Sequence, residues 1–259
     1  MNSSIIINSI PNTNYFDAHL PWPYIKLKNI KNSNLIFEHD DLISLVGVFL
    51  PEEIPFNQQD YFKPFKTHFI FDPKLQLPNY SKKTRQNLSS GLKYWHPKEM
   101  KNEIGIQNFI KLYDELILRR QLKNTFFDLH HNHFSNLFSL SEFTVFGVEN
   151  NNQLGSMACA MRYQNEIHLI HIVNSDKGLR SNASYVLMDY LITYCAENNL
   201  MLFLGGVPRN DNGGVLRFKK RWSNNTIQTW LLRMILNPEI YNKLSIDENN
   251  FFPAYRNSW

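Results

Sequence analysis

The chain has 259 residues, of which 43% are hydrophobic and 14% aromatic, so it can build one large core or two smaller ones. Its 27 basic and 23 acidic residues leave a net charge of +4, an excess that suits phosphorylated small ligands but does not by itself predict nucleic-acid binding. The first residues do not combine a basic n-region with a long apolar h-region, so we expect no signal peptide, and no apolar run approaches the roughly 18 residues of a membrane span. We therefore expect a cytoplasmic protein without a membrane partner.

The first third of the chain predicts short strands. An irregular lead-in extends to about Pro23, and Tyr24–Ile30 and Asn34–His39 are predicted strands. Residues 42–50 are apolar enough for either a core strand or a short buried helix, because periodicity does not separate the two. Thr67–Asp72 alternates weakly and predicts a further strand.

A basic helix is predicted over Pro78–Lys93. Lys82, Lys83 and Arg85 place positive charge in its first turns, where the helix dipole disfavours it. Two explanations stay open for this charge. The side chains either form a solvated face or hold a phosphate-bearing ligand over the helix.

An aromatic segment and an amphipathic helix come next. Tyr94, Trp95 and His96 predict a short strand, in which either of the first two rings could stack a nucleobase or pack in the core. Ile106–Arg120 places its apolar residues on one face and predicts a helix.

Neither the histidines nor the cysteines predict a metal centre. His130 and His133 would share one helix face with His131 between them, but the sequence offers no third ligand, so we expect no metal. Cys159 and Cys195 have no framework of spacings and are expected to be reduced core residues.

The stretch from Leu154 to Trp222 carries most of the functional information. Phe143–Glu149 predicts the strand before it, and the β-rich runs Gly155–Tyr163 and Glu166–Ser175 predict a hairpin turning at Gln164-Asn165.

The second half of this stretch predicts alternating loops, helices and a strand. Ser175–Arg180 is a predicted loop, and a helix is expected to start near Ser181-Asn182, both good N-cap residues. The short apolar run Leu200–Leu204 suits a strand buried on both faces. A basic, aromatic helix is predicted over Val215–Trp222.

The remaining elements are a long strand over Thr226–Leu236 and a short helix over Asn237–Leu244. Both halves of the chain therefore mix strands with helices. The predicted fold class is α/β, of the α+β kind with a mixed sheet.

The order of elements resembles the acetyl-CoA-binding half of the GNAT acyltransferase superfamily. The ending LGG…GGVLRFKKRW resembles its two-domain Fem-type branch, which includes peptidoglycan aminoacyltransferases and sugar N-acyltransferases, as does the S-K-K-x-R match at Ser81–Arg85. This resemblance implies two GNAT-like domains, residues 1–122 and 123–259, that face a shared cleft. The acyl-donor site would lie in the second.

The resemblance also implies a donor pyrophosphate at the start of the central helix, where orphan amides and the helix dipole favour phosphate. Lys177–Ala183 matches the superfamily's Q/R-x-x-G-x-G/A loop loosely. The predicted contacts of the acyl-CoA co-substrate are Ser175, Lys177, Gly178, Arg180, Ser181 and Asn182.

Acyl transfer to an amine needs a deprotonated nucleophile and a polarised carbonyl. His168 and His171 lie on the strand that lines the thioester in a GNAT-like fold; being three apart, they are expected on opposite faces. His171 is the preferred base or orienting group, with a hydrogen-bonded core or surface histidine as the alternative. By resemblance, Lys219 lies near the reaction centre, or else in an exposed basic trio.

The acceptor is expected to carry phosphate. The predicted substrate-binding residues are Lys82, Lys83, Arg85, Tyr94 and Trp95. With Lys219, the three cations of this set could neutralise a diphosphate.

We therefore expect an N-acyltransferase that moves an acyl group from acyl-CoA to the amino group of a nucleotide-linked sugar. Direct attack is expected because no activated Ser or Cys is evident. Two alternatives stay open: an aminoacyl-tRNA-dependent peptidoglycan aminoacyltransferase, and a GNAT-like binding module without turnover. If the protein is an acyl-CoA-dependent N-acyltransferase, we expect no nucleic-acid partner. A homo-oligomer is compatible with the sequence.

Overall fold

The structure is a computed structural model that describes residues 6–10, 12–20, 41–50, 61–100, 103–123, 131–138, 140–208, 211, 213–245 and 252–256. The chain divides into two compact units. One consists of residues 1–67 with 227–259, and the other of residues 68–226. The strands predicted at Tyr24–Ile30 and Asn34–His39 lie outside the described residues.

The described residues form ten strands and seven helices, numbered separately in chain order. The strands are β1 (Ile6–Ser9), β2 (Phe16–His19), β3 (Leu42–Phe49), β4 (Phe62–Phe71), β5 (His96–Glu99), β6 (Phe143–Asn150), β7 (Gln153–Tyr163), β8 (Glu166–Asn174), β9 (Met201–Gly205) and β10 (Asn225–Ile235). The helices are α1 (Lys82–Leu92), α2 (Glu103–Arg119), α3 (His131–Phe138), α4 (Asp176–Arg180), α5 (Ala183–Glu197), α6 (Gly214–Trp222) and α7 (Pro238–Leu244).

The larger unit is built on a mixed sheet with the strand order β4-β9-β8-β7-β6-β5. Neighbouring strands in this sheet are antiparallel, except β8 and β9, which are parallel. The turn between β6 and β7 consists of Asn151 and Asn152, whose φ angles of 48° and 62° are those of the tight hairpin turns that asparagine favours. The predicted mixed α/β fold is confirmed.

Helices cover both faces of this sheet. α5 packs Leu187 and Leu191 against Ala158, Ala160 and Ile167 in one buried cluster. On the opposite face, Tyr113 of α2 and Phe134 of α3 contact the ring of His171 on β8. Strand β7 is therefore shielded from water on both sides, which explains why its sequence is a continuous apolar run.

The smaller unit contains β1, β2, β3 and β10, with β1 antiparallel to β2, β2 and β3 parallel, and β10 antiparallel to β3. Strand β3 is confirmed as a strand, the first of its two predicted alternatives. It packs Phe49 against Phe62 at 5.3 Å on one side. Arg256 donates two hydrogen bonds to the buried carboxylate of Asp17, at 2.7 and 2.8 Å, and so fixes the C-terminal segment of this unit.

The units differ from the domains predicted to meet between residues 122 and 123. Residues 68–122 belong to the larger unit because β5 pairs with β6 and α1 packs on α5. Two predicted elements also have different bounds in the structure. Ser81, not Pro78, begins the basic helix by capping the amide of Thr84 at 3.2 Å, and Trp95 precedes β5 instead of lying within it. None of the described helices is long and apolar enough to cross a bilayer.

A close backbone approach joins α4 to β7. Register shifts at Gly155, so this glycine bulges out of the ladder between β6 and β7. Gly178 of α4 packs directly on the bulge, and a Cβ atom at this position would lie 1.8 Å from the carbonyl oxygen of Gly155. No side chain fits between these two backbones.

Replacing Gly178 by alanine should therefore destabilise the protein by about 2–3 kcal/mol, because the backbone has to move to relieve the overlap. Urea denaturation measures the free energy of unfolding. Leu179→Ala on the same helix is the control, since Leu179 is 48% exposed and its truncation should change stability by about 0.5 kcal/mol or less. Equal stability of the two variants would contradict the close approach.

Candidate active site

Strands β8 and β9 separate partway along the sheet. Their ladder contains three residue pairs, from Glu166–Met201 to His168–Phe203, although both strands are described to their ends. β8 then runs on for six residues paired with β7 alone. The second half of β8 therefore has no strand partner on its β9 side among the described residues, and we call the space along this edge the β8–β9 slot.

Burial changes at the same point. Seven consecutive residues of neighbouring β7, Gly155–Met161, are buried, as expected for a strand in the middle of a covered sheet. In β8, by contrast, the four residues Leu169–Ile172 are all partly exposed. This exposure in the centre of the sheet indicates that solvent, and hence a narrow ligand, reaches the slot.

A bulge in β8 changes where its histidines point. Cys159 pairs with His171 and Ala160 pairs with Leu169, which leaves Ile170 without an opposite residue in β7. His168 pairs with Met161. Because paired residues of antiparallel strands share a face, the bulge puts His168 and His171 on the same face, and the prediction of opposite faces is wrong.

The ring of His171 packs in an aromatic cluster. It meets Tyr113 edge to face at 5.3 Å and Phe134 at 5.8 Å. Burial, with a smaller repulsion from His133, lowers the pKa of His171 to about 4. The imidazole is therefore neutral at pH 7, and its low basicity makes it a weak general base.

His168 is a core residue of the same face. It is 2% exposed, stacks on Phe203 at 4.5 Å and lies 2.9 Å from Glu166 through its Nε2 atom. Burial lowers its pKa, and the hydrogen bond and charge of Glu166 oppose this shift in part. Since the ring is enclosed, the contact with Glu166 orients it within the sheet at the closed end of the slot.

The segment predicted as a phosphate loop is largely helical. Ser175 begins α4 by accepting a hydrogen bond from the amide of Gly178 at 3.0 Å, and its own hydroxyl donates to the carbonyl of Leu154 at 2.7 Å. The amides of Leu179 and Ser181 donate to carbonyls one turn earlier in the chain. Three amides of this segment thus have internal partners, because the chain forms a helical turn where a loop was predicted.

The start of α5 lies next to this turn. Asn182 occupies the N-cap position in a left-handed conformation, φ 62°, and its side chain makes no capping hydrogen bond. Arg180, two residues before it, is exposed. A cation thus adjoins a helix N-terminus whose first amides are not capped by a side chain, which is the electrostatic setting that favours phosphate.

Two predicted residues from opposite parts of the chain meet beside α4. Lys177 donates a hydrogen bond to the Tyr94 hydroxyl and one of 2.6 Å to Gln153 Oε1. Trp95 is completely buried, and its indole nitrogen donates to the carbonyl and hydroxyl of Ser181, each at 3.0 Å. The structure therefore gives Trp95 a role in holding the turn before α5, and its enclosed ring has no face free to stack a nucleobase.

Lys219 contacts the other rim of the slot. Its ammonium donates to the carbonyls of Leu204 and Gly206, at 2.5 Å each, where β9 ends. Gly205 between them has a φ of 75°, a conformation that glycine adopts readily. Lys219 thereby fixes the end of β9. Its neighbour Lys220, in contrast, is exposed.

The cations of α1 are not brought to the slot. α1 packs on α5 through Gly91, where a Cβ atom would meet Val186 at 2.7 Å. Lys82, Lys83 and Arg85 lie on the exposed part of the helix surface. Their predicted contact with a diphosphate stays a prediction.

Asn174, the last residue of β8, was not predicted from the sequence as a site residue. Its Oδ1 atom is buried and accepts no hydrogen bond from any residue that the structure describes. A buried oxygen without a donor is unfavourable unless a ligand or water supplies one. Its position directly before the capping serine was the available signal.

Thiol and metal chemistry are not indicated at this site. Burial raises the pKa of Cys195 to about 12, and it raises that of Cys159 as well. Both cysteines are free and buried, as expected from their spacing. The described residues contain no cluster of three metal ligands, and His130 lies outside them.

Several solved structures are similar to this fold. FemX superposes with a TM-score of 0.65 at 11% identity, over 93% of this chain and 86% of that one. The C-terminal domain described as that of a lysylphosphatidylglycerol synthetase from Agrobacterium fabrum gives 0.60 at 12% identity, over 91% and 81%. L-PGS from Bacillus licheniformis gives 0.57 at 12%, over 90% and 81%. At these identities the likeness shows the fold alone, which is the mixed α/β fold described above.

Sequence comparisons add no closer relative. No protein-family model matches the chain, and no curated protein matches it.

Lys219→Met should lower the free energy of unfolding by about 1–2 kcal/mol, because two carbonyls at the end of β9 lose a charged donor while the aliphatic stem is kept. Urea denaturation again gives the value. Lys220→Met, on the exposed neighbour, should change stability by about 0.5 kcal/mol or less. An equal loss of stability in both variants would show that the two carbonyl contacts of Lys219 do not stabilise the fold.

His171→Phe should flatten the dependence of stability on pH. An unfolded histidine has a pKa of about 6.5. The folded value is about 4, so between these pH values the unfolded chain binds more protons and the wild type loses stability as pH falls. Relative to the wild type, the variant should gain about 1–3 kcal/mol between pH 7 and pH 4.5, measured by urea denaturation at each pH. Parallel curves for the two proteins would contradict the lowered pKa.

Proposed function

We propose that the protein is an N-acyltransferase whose acyl donor lies in the β8–β9 slot. The observation that carries this proposal is the loss of pairing after His168 and Phe203, together with the partial exposure of Leu169–Ile172. A strand edge without a partner offers backbone amides and carbonyls to a ligand that has amides of its own. The pantetheine arm of an acyl-CoA has two amides on a narrow chain, which suits such an edge.

The reaction needs no covalent enzyme intermediate. The acceptor nitrogen attacks the thioester carbonyl, the carbon–sulfur bond breaks, and the proton lost by the nitrogen ends on the departing thiolate. Backbone amides of β8 beside the slot would polarise the carbonyl oxygen. Direct attack is supported by the two cysteines, because burial keeps both thiols protonated.

The donor's phosphates would lie at the open end of the slot. The start of α5 and the exposed Arg180 supply the favourable electrostatics there. Asn174, between the slot and α4, would accept a hydrogen bond from an amide of the donor through its orphan Oδ1 atom. Of the predicted donor contacts, Ser175 and Gly178 would then shape α4, Lys177 and Ser181 would support the turns beside it, and Arg180 and Asn182 would face the ligand.

The weak base beside the slot favours an acceptor of low basicity. An imidazole with a pKa of about 4 removes a proton poorly from an alkylammonium group. The amino group of a sugar is less basic than an alkylamine and is neutral more often at pH 7. We therefore keep the amino group of a nucleotide-linked sugar as the proposed acceptor.

A second donor, aminoacyl-tRNA, is favoured by one observation. The amides of Gly178, Leu179 and Ser181 have partners inside α4, so fewer are available for a pyrophosphate than in an open loop. The Fem-type resemblance would then extend to the donor, with delivery of an amino acid to a peptidoglycan precursor.

Calorimetric titration with acetyl-CoA tests the proposal, with desulfo-CoA as the control that lacks the thioester. We expect a micromolar dissociation constant for both ligands, because the pantetheine arm and the phosphates provide the contacts. Binding of neither would reject the acyl-CoA donor and favour aminoacyl-tRNA or a module without turnover. Binding without transfer to any amine would favour the module.

Asn174→Ala should weaken acetyl-CoA binding about tenfold, the effect of one lost hydrogen bond of about 1.4 kcal/mol. The matched control is Asn198→Ala, which changes an exposed asparagine at the other end of α5. Its affinity should be that of the wild type. If both variants bind equally well, the donor does not contact Asn174.

A further inference from the structure

The positive charge of the chain is concentrated in one segment. Residues 73–93 contain five basic side chains and no acidic one, whereas the chain as a whole has 27 basic and 23 acidic residues. The rest of the chain therefore carries 22 basic and 23 acidic residues and is close to neutral. A segment of one sign on an otherwise balanced protein indicates an anionic partner.

These charges project from the outer side of α1. Thr84 and Gly91, seven residues apart, are buried against the body of the unit. At 100° per residue, Lys82, Ser89 and Lys93 lie within about 40° of one another on the opposite side of the helix. All three are exposed. Lys82 and Lys93 thus both face solvent on the outer side of α1, where an anionic partner can reach them.

Exposed leucines accompany the charges. Leu75 and Leu77, on the connection before α1, are 46% and 59% exposed, and Leu92 in its last turn is 48% exposed. Leu118 and Leu179 are the other exposed leucines of the described chain, so three of five lie in this segment. Apolar side chains held in water beside cations are typical of surfaces that enter the interface of a lipid bilayer.

Charge and apolar surface also meet in one depression. A cavity of about 330 Å³ opens on the surface of α1, and its lining combines two cations, a hydroxyl and two leucines. The lining residues are Arg85, Leu88, Ser89, Leu92 and Lys93. A phosphate with an attached apolar chain matches this lining, since the cations bind the phosphate and the leucines cover the chain.

We infer that this surface docks the protein onto a membrane rich in anionic phospholipid. The α1 surface is defined by its exposed cations and leucines: Lys74, Leu75, Leu77, Lys82, Lys83, Arg85, Leu92 and Lys93. Its cations attract the lipid phosphates, and its leucines enter the headgroup region. The sequence predicted no membrane partner because it contains no spanning segment, but peripheral docking does not need one.

A soluble nucleotide is a poorer match to this surface. It would use the cations but leave the leucines in water, and the aromatic ring of the segment, Tyr80, is partly buried against Trp222. Docking is independent of the proposed acyl transfer, since α1 contributes no residue to the β8–β9 slot.

The test is co-sedimentation of the full chain with vesicles of phosphatidylcholine alone or with 30% phosphatidylglycerol. We expect at least tenfold stronger partitioning to the anionic vesicles, weakened by added salt because the attraction is screened. Equal partitioning to both compositions would overturn the inference.

Two variants separate the contributions of charge and apolar contact. Replacing Lys82, Lys83 and Arg85 by glutamine should reduce partitioning to anionic vesicles at least tenfold. Leu77→Ser with Leu92→Ser should reduce it severalfold and leave the salt dependence unchanged. If the leucine variant partitions like the wild type, the leucines do not enter the bilayer and the docking model fails.

The matched control changes α2, whose exposed side also has cations and a leucine. Lys111→Gln with Arg120→Gln and Leu118→Ser removes similar groups from a surface that also contains Asp114. This control should partition like the wild type, and circular dichroism checks that every variant is folded. An equal loss in the α2 control, or displacement of the wild type from vesicles by millimolar nucleotide-diphosphate sugar, would overturn the inference.

Discussion

The approach of α4 to β7 at two glycines is the contact on which the rest of the site depends. Gly155 bulges out of its ladder, and Gly178 packs on it so closely that a Cβ atom would overlap its carbonyl oxygen. Ser175 adds a hydrogen bond to Leu154. The chain that leaves β8 is thereby held against β7, and α5 starts shortly after this contact.

The two rims of the slot are stabilised by different means. Near α4, the indole of Trp95 holds the turn at Ser181 through two hydrogen bonds. At the end of β9, the ammonium of Lys219 holds the carbonyls of Leu204 and Gly206. Neither group is placed to react with a substrate through these contacts. They keep a gap in the sheet open, and the unpaired backbone of β8 then supplies the binding chemistry.

The larger unit thus presents two surfaces of different character. The slot is narrow, lined by backbone and partly exposed apolar side chains, and suits a thin donor arm. The α1 surface lies on the outer side of a helix that packs on α5, and it is strongly basic with exposed leucines. Because no residue belongs to both, a variant in one is expected to leave the other unchanged, so binding of a donor and docking on lipid are separable experimentally.

Local patterns in the sequence determined the types and order of most elements. The hairpin at Gln164-Asn165, the buried strand β9 and the basic helix α6 follow from turn residues and apolar periodicity, which act over a few neighbours. Reduced cysteines followed in the same way. The GNAT-like resemblance rested on this order of elements, and the mixed α/β fold agrees with it.

Tertiary structure alone decided the geometry of the site. The bulge at Ile170 arises from pairing with β7 and places His168 and His171 on one face. The spacing of the two histidines in the sequence does not reveal it. Trp95 is a buried hydrogen-bond donor because the carbonyl oxygen of Ser181, which is distant in the sequence, lies 3.0 Å from its indole nitrogen. Residues 68–122 joined the larger unit because β5 pairs with β6. Each of these depends on contacts between distant segments, which periodicity and local propensity do not encode.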